Sequence, residues 1–242
     1  MLKLSKTVRV STVLPVLVFY GMTLGCNNTQ SQTETSRTAS IVGQSSQAFW
    51  NFDDVPEGKL PAGWKVEATN QEGSPGSWNI VKDTMAPSGH QALAMVTPPR
   101  KYGGNFNLCW TDSITFLDGE IRVDFKSNTG EVDQGGGVMW RVRDKDNYYI
   151  ARFNPLEDNF RIYYVHNGSR HKIADAKVTL PVGKWHTMKI IQKSTRFEGY
   201  INGEKLIEGT NDLFANPGGV GLWTKADAVT SFDDFSVKPL KP

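Results

Sequence analysis

Two carboxylates stand one residue apart, Glu131 and Asp133, at the start of a glycine-rich stretch over residues 130–137. Alternate residues of an extended strand share a face, so a Glu-x-Asp-x-x-Glu strand can present the two carboxyl groups that a retaining glycosidase holds about 5–5.5 Å apart. Gly136 occupies the position of the second Glu. The stretch therefore lacks that pair, and its glycines predict a loop or bulge that approaches a neighbouring strand closely.

Arginines and tyrosines recur in three successive segments of alternating polarity, 138–143, 148–153 and 159–165. If these segments are neighbouring strands, the residues that face away from the core form one surface, made of Arg141, Arg143, Tyr148, Arg152, Arg161 and Tyr163. Aromatic rings stack on the apolar CH faces of sugars, and guanidinium groups hydrogen-bond to their hydroxyls. The surface is therefore predicted to bind carbohydrate.

Trp223 extends the same prediction. Its parity is opposite to that of Val220 and Leu222, which favours an exposed ring beside the Arg and Tyr surface. The alternative is that the arginines and tyrosines are ordinary solvent-facing strand residues with charge partners such as Glu120 and Asp124, and that Trp223 belongs to the core. Sequence alone leaves both interpretations open.

An acidic pair near the two ends of the folded region predicts a metal site. Asp54 shares strand parity with the apolar residues at its start, and Asp233 shares parity with those at its end. A carboxylate that points toward a core needs a partner, and a structural Ca²⁺ ion takes oxygen ligands. In the other interpretation these aspartates cap turns or pair with Lys59 or Lys238. The four histidines show no pair at metal-ligand spacing.

Strands are the elements that must position these residues. In 119–126 the apolar Ile121, Val123 and Phe125 alternate with charged residues, the period of a half-buried strand. Asn202-Gly203 lies between two alternating runs, which predicts a tight hairpin. No segment sustains helical periodicity, and strands at short regular intervals predict an all-β fold, an antiparallel two-sheet jelly-roll sandwich.

The first residues are predicted to be a targeting segment. Residues 1–26 combine a basic start with a short apolar run and end at Cys26, in a pattern that resembles a bacterial lipoprotein cleavage site. We expect Cys26 to carry a lipid anchor in the cell envelope; the alternative is a retained Cys26 bonded to Cys109. Polar residues 27–47 predict a flexible tether, and 48–242 a single domain.

Composition limits the partners. The chain has 242 residues and a formal net charge of +2, without a basic patch that would indicate nucleic acid. We expect a monomer whose partners are a carbohydrate and, through the anchor, a membrane.

The sequence also resembles a known family, in residues 135–170, 183–190, 200–206 and 218–237. These runs are similar to concanavalin A-like (laminin G-like) jelly rolls, and more closely to the 3-keto-disaccharide hydrolase domain family, over about residues 49–238. The resemblance implies a jelly roll that either binds glycans or acts as a hydrolase or lyase on 3-keto-sugars.

Three functions are alternatives on this basis. The first is a carbohydrate-binding domain, favoured by the missing carboxylate pair. The second is a hydrolase or lyase of 3-keto-glycosides, in which Asp133 is the candidate catalytic residue and Arg141 or Arg161 stabilises an enolate. The third is a purely structural role.

Overall fold

The computed structural model describes residues 47–71, 73–98 and 104–240. The predicted targeting segment, Cys26 and all of the predicted tether except its last residue lie outside these ranges. The described residues form fifteen strands: β1 (Ala48–Trp50), β2 (Trp64–Thr69), β3 (Ser77–Lys82), β4 (Gln91–Thr97), β5 (Phe106–Phe116), β6 (Gly119–Thr129), β7 (Gly136–Asp144), β8 (Asn147–Asn154), β9 (Asn159–His166), β10 (Ser169–Lys177), β11 (His186–Lys193), β12 (Arg196–Ile201), β13 (Glu204–Thr210), β14 (Gly218–Lys225) and β15 (Val229–Pro239). In this part of the chain no helix is long and apolar enough to cross a membrane.

The strands form two antiparallel sheets. The eight-stranded sheet has the order β13-β12-β11-β6-β15-β4-β3, with β1 paired to β15. The seven-stranded sheet has the order β10-β9-β8-β7-β14-β5-β2. The predicted all-β sandwich is confirmed, and so is the prediction that segments 138–143, 148–153 and 159–165 are neighbouring strands, since β7, β8 and β9 pair in that order.

The main core lies between the two sheets and follows the predicted alternation. Ile121, Val123 and Phe125 of β6 are fully buried in it, in the same cluster as Trp140 and Tyr149 of the opposite sheet. The Trp140 and Tyr149 rings stack with their centroids 5.6 Å apart. Burial of large side chains on one face of each sheet is the main stabilising contribution of such a sandwich.

The predicted hairpin at Asn202-Gly203 is also confirmed, and so is the close backbone approach of the glycine-rich stretch, although its residues 136–137 belong to β7 and not to a loop. Asn202 and Gly203 connect β12 to β13 with φ angles of 49° and 85°, the left-handed conformation that a two-residue hairpin requires. In the glycine-rich stretch, a Cβ atom on Gly135 or Gly137 would lie within 2 Å of a carbonyl oxygen of β8. Only glycine lets the backbone approach β8 so closely.

A bulge in β7 changes the alternation that the sequence predicts. The pairing of β7 with β8 shifts register after Trp140, and Arg141 has a φ of 47°. As a result Val142 lies on the face opposite to Trp140 instead of beside it in the main core. One extra residue in a strand exchanges the two faces for all later residues of that strand.

Candidate functional site

The candidate site lies on the outer face of the seven-stranded sheet, defined as the face turned away from the eight-stranded sheet. A second apolar cluster covers this face, made of Phe106, Leu108, Trp110, Met139, Val142, Tyr148, Ile150, Tyr163, Val165 and Trp223. Arg152 and Arg161 join it, because each guanidinium lies 3.4 Å from the Tyr163 hydroxyl. Five of the predicted binding residues, Tyr148, Arg152, Arg161, Tyr163 and Trp223, therefore share one face.

The prediction that these side chains are exposed is wrong for four of the five. Tyr148 and Trp223 are completely buried, and Arg152 and Tyr163 are 1% and 5% exposed. Only Arg161 is partly accessible, with 25% of its side chain exposed. Alternation fixes which face a residue takes, but whether that face meets solvent depends on what covers it.

Contacts between distant strands close this face. The Thr69 hydroxyl at the end of β2 lies 2.8 Å from the Tyr148 hydroxyl and donates to the Lys145 carbonyl. The neighbouring Asn70 amide donates to the carbonyl of Gly168, in the turn between β9 and β10, at 2.8 Å. The edge strand β2 therefore reaches the turns that follow β7 and β9. Burial raises the pKa of the Tyr148 hydroxyl, and its hydrogen bonds with Thr69 and Trp223 lower it. The effect of burial is the larger, so the pKa is raised.

Arg141 does not belong to the site. Its guanidinium donates to the carbonyl oxygens of Leu117 and Phe214 at 2.9 and 2.7 Å, and it forms a salt bridge with Asp118 at 3.2 Å. The bulge in β7 redirects this side chain away from the outer face. Arg143 follows it, with its guanidinium carbon 4.9 Å from the centroid of Phe214, a residue of the main core.

Arg170, at the start of β10, occupies the centre of the outer face. Its guanidinium carbon lies 4.4 Å from the ring centroid of Tyr163, 5.2 Å from that of Phe106 and 5.8 Å from that of Trp223. Burial lowers the pKa of the Arg170 guanidinium. Tyr163 acts against this shift, whereas the positive charge of Arg152 lowers the pKa further. Nη1 of Arg170 is buried without a hydrogen-bond partner. The result is a half-buried cation among aromatic rings, with one buried donor that has no acceptor.

Arg152 lies at the β8–β9 side of the same face. Nη1 donates to Asn159 at 3.0 Å and Nη2 to the carboxylate of Glu157 at 2.8 Å, while Nε is buried without a partner. The same Glu157 oxygen accepts from Arg161 at 2.8 Å. Burial would raise the pKa of Glu157, but these donors outweigh it and lower the pKa to about 2. Glu157 is therefore a fixed anion at the exposed rim of the site.

Asp133 brings a carboxylate to this region. It is fully buried, its Oδ1 accepts from the amide of Gly135 at 3.1 Å, and its Oδ2 lies 3.3 Å from Nζ of Lys225. The Asp133 charge also acts on Arg170. The loop that carries it is held by Asp227, whose carboxylate accepts the backbone N–H groups of residues 131, 132 and 133.

The predicted calcium ligands differ in burial. Asp54 is exposed, which contradicts its predicted core-facing direction, because β1 ends at Trp50 and Phe52 interrupts the strand with a φ of 65°. Asp233 is fully buried and accepts from the amides of Ser88 and Asp234. Burial raises its pKa to about 6. Within the described ranges no three His, Cys, Asp or Glu residues form a metal-binding group, and the calcium ion stays a prediction.

Sequence reasoning missed several residues of this site: Phe106, Glu157, Arg170, Lys225 and Asp227. Arg170 comes shortly after the Asn167-Gly168 turn, and recognition of β10 as a fourth alternating strand would have placed it on the same face as Tyr163. Lys225 and Asp227 carry no local signal, since their contacts are with residues more than ninety positions away.

Comparisons with known proteins agree with this architecture. The family described as "3-keto-alpha-glucoside-1,2-lyase-like domain" matches residues 47–238. Among solved structures, the carbohydrate-binding module CBM66 from Bacillus subtilis is 23% identical with a TM-score of 0.54, covering 72% of this chain and 93% of that one. The Bacillus licheniformis β-glucanase is 13% identical with a TM-score of 0.53, covering 78% and 96%. The cellulose-induced protein Cip1 is 15% identical with a TM-score of 0.54, covering 81% and 99%. No curated protein sequence matches. These structural likenesses establish the jelly-roll fold.

Proposed function

Because this chain belongs to the family of 3-keto-alpha-glucoside-1,2-lyase-like domains, we propose that its folded domain binds a carbohydrate on the outer face of the seven-stranded sheet. The observation that carries the proposal is the environment of Arg170, a guanidinium surrounded by three aromatic rings with a buried, unpaired Nη1. Rings beside fixed polar donors are what a sugar site uses. The similar Bacillus subtilis structure is a carbohydrate-binding module, which supports binding on this fold.

The accessible part of the site is the rim at the β8–β9 turn. Glu157 and Arg161 are the exposed members of the site, with 41% and 25% of their side chains accessible. Arg152 and Tyr163 lie directly behind them. A sugar that binds here would contact these polar groups, with the Tyr163 ring behind them.

A second function, elimination on a 3-keto-glycoside, is favoured by the buried Asp133 carboxylate. In a 1,2-elimination a base removes the proton on C2, which the C3 ketone acidifies, and the electron pair is held as an enolate. As the C3 ketone re-forms, the C1=C2 double bond forms and the C1–O bond breaks, and the leaving oxygen takes a proton. Asp133 would be the base, with Arg170 stabilising the enolate and Lys225 donating to the leaving oxygen. Arg141 has no part in this reaction, because its guanidinium is bound to Leu117, Phe214 and Asp118.

One experiment separates binding from catalysis. Purified protein is incubated with a panel of glycans and of 3-keto-glycosides, and affinity and product formation are measured separately. Asp133→Asn should keep affinity but lose turnover if the domain is a lyase, whereas a binding domain shows no turnover in either form. Asp112→Asn, which removes an exposed carboxylate, is the matched control. Absence of binding to every ligand would contradict both functions.

The cellular location is part of the proposal. The lipoprotein-type pattern that ends at Cys26 supports export and anchoring of the protein in a membrane of the cell envelope. We expect the protein to act there as a monomer.

A further inference from the structure

Charged side chains cluster around Arg170 on the outer face, apart from Lys65, Glu67 and Asp112 beside Trp110. The cluster consists of Arg152, Arg161, Arg170, Lys172 and Lys225, with Asp133, Glu157 and Asp175. Each of the three carboxylates forms a salt bridge, although Oδ2 of Asp133 makes no hydrogen bond. Asp133 contacts Lys225, Glu157 contacts Arg152 and Arg161, and Asp175 contacts Arg161 and Lys172.

Arg170 is the cation without a counterion. Among the described residues, no carboxylate oxygen lies within 4.0 Å of its guanidinium, and its Nη1 has no acceptor. A second donor points to the same conclusion, because Nε of Arg152, a side chain 1% exposed, is also without an acceptor. Both guanidinium carbons lie within 6 Å of the Tyr163 ring centroid, at 4.4 and 5.9 Å. Two buried donor atoms without an acceptor are costly to leave unsatisfied.

We infer that the carbohydrate bound here is acidic, and that Arg170, assisted by Nε of Arg152, binds the carboxylate of a uronic acid residue. The inference rests on the proposed function and narrows its ligand class. A carboxylate matches the planar fork of a guanidinium and forms short charge-assisted hydrogen bonds with it.

The test compares uronate oligosaccharides with their own methyl esters, which keep the sugar and remove the charge. Galacturonate, glucuronate, mannuronate and guluronate oligomers are each titrated as acid and as ester against the full chain by calorimetry. At least one acid should bind about tenfold to hundredfold more tightly than its ester, the range expected for charge-assisted hydrogen bonds. Arg170→Met should reduce that affinity to the level of the ester.

Two further variants control for folding and for general electrostatics. Arg170→Lys keeps the charge but loses the fork, so it should bind the acid with intermediate affinity and melt like the wild type. Lys82→Met removes an exposed cation on the other sheet, with 78% of its side chain accessible, and should leave affinity unchanged. A sulfated neutral oligosaccharide measures attraction by charge alone.

The outcomes are distinguishable. Equal affinity for acid and ester overturns this inference and leaves the proposed function intact. Binding of the sulfated sugar as tightly as any uronate, unaffected by Arg170→Met, also overturns it, because attraction is then unspecific. If no glycan of either charge binds, the proposed function fails and this inference fails with it.

Discussion

Replacement of Asp227 by Asn should detach the loop that carries Asp133. The Asp227 carboxylate is 7% exposed and accepts three consecutive backbone N–H groups, from residues 131, 132 and 133, at 2.9, 3.0 and 3.1 Å. Oδ1 serves residues 132 and 133, and Oδ2 serves residue 131. An Asn side chain has one acceptor oxygen, so its amide nitrogen would face the N–H of residue 131, donor against donor.

Asp227→Asn should remove at least one hydrogen bond to a charged acceptor. Such bonds contribute about 1.5–3 kcal/mol each, so Asp227→Asn should lower the free energy of unfolding by about 2–3 kcal/mol. In a domain of this size that corresponds to a decrease of roughly 4–12 °C in melting temperature. Urea denaturation and thermal melts measure it, and amide hydrogen exchange at residues 131–133 should become faster.

The pH dependence is set by the sign of the pKa shift. Burial would raise the pKa of Asp227, but the three backbone donors outweigh it and lower the pKa below its ordinary value of 3.8. The unfolded chain therefore binds the proton more readily than the folded one. The contribution of Asp227 to the free energy of unfolding is fully present above about pH 4. It is lost as the pH falls through the pKa that Asp227 has in the folded protein. Asp227→Asn should lack this part of the acid dependence.

The matched control is Asp112→Asn. Its carboxylate pairs with Lys65 at 2.7 Å, with 63% of the side chain exposed, so the same change of charge should cost less than about 1 kcal/mol. If Asp227→Asn unfolds at the same urea concentration as Asp112→Asn, the carboxylate does not hold the loop. The reasoning from hydrogen-bond geometry would then be refuted.

Three further predictions concern the closed face, the anchor and the metal. Trp223→Ala should destabilise the fold by about 3–5 kcal/mol in urea denaturation, because the ring is completely buried; a loss below about 1 kcal/mol would mean an open face. Cys26→Ser should release the protein from the membrane fraction or block its processing, and unchanged fractionation and processing would contradict lipidation. If a calcium ion binds at Asp233, a chelator should lower the melting temperature and Asp233→Asn should abolish that sensitivity. A melt indifferent to chelator leaves Ser88 and the backbone as the partners of Asp233.

The sequence by itself determined the local elements and the face of most strand residues. The alternation of β6, β8 and β9 predicted which side chains enter the main core, and Asn202-Gly203 predicted the hairpin between β12 and β13. These features depend on the two-residue period of a strand and on the backbone preferences of single residues. Both can be read from a few neighbouring positions.

The tertiary structure decided which faces are covered and which residues meet. The bulge at Arg141 exchanged the faces of β7, because one extra residue changes the parity of all later positions in the strand. The burial of Tyr148 depends on Thr69, 79 positions earlier, and the place of Asp133 depends on Asp227, 94 positions later. Strand alternation carries no information about such pairs, since it constrains each strand separately. The neighbours of Arg170 were fixed only when β5, β9 and β14 came together around it.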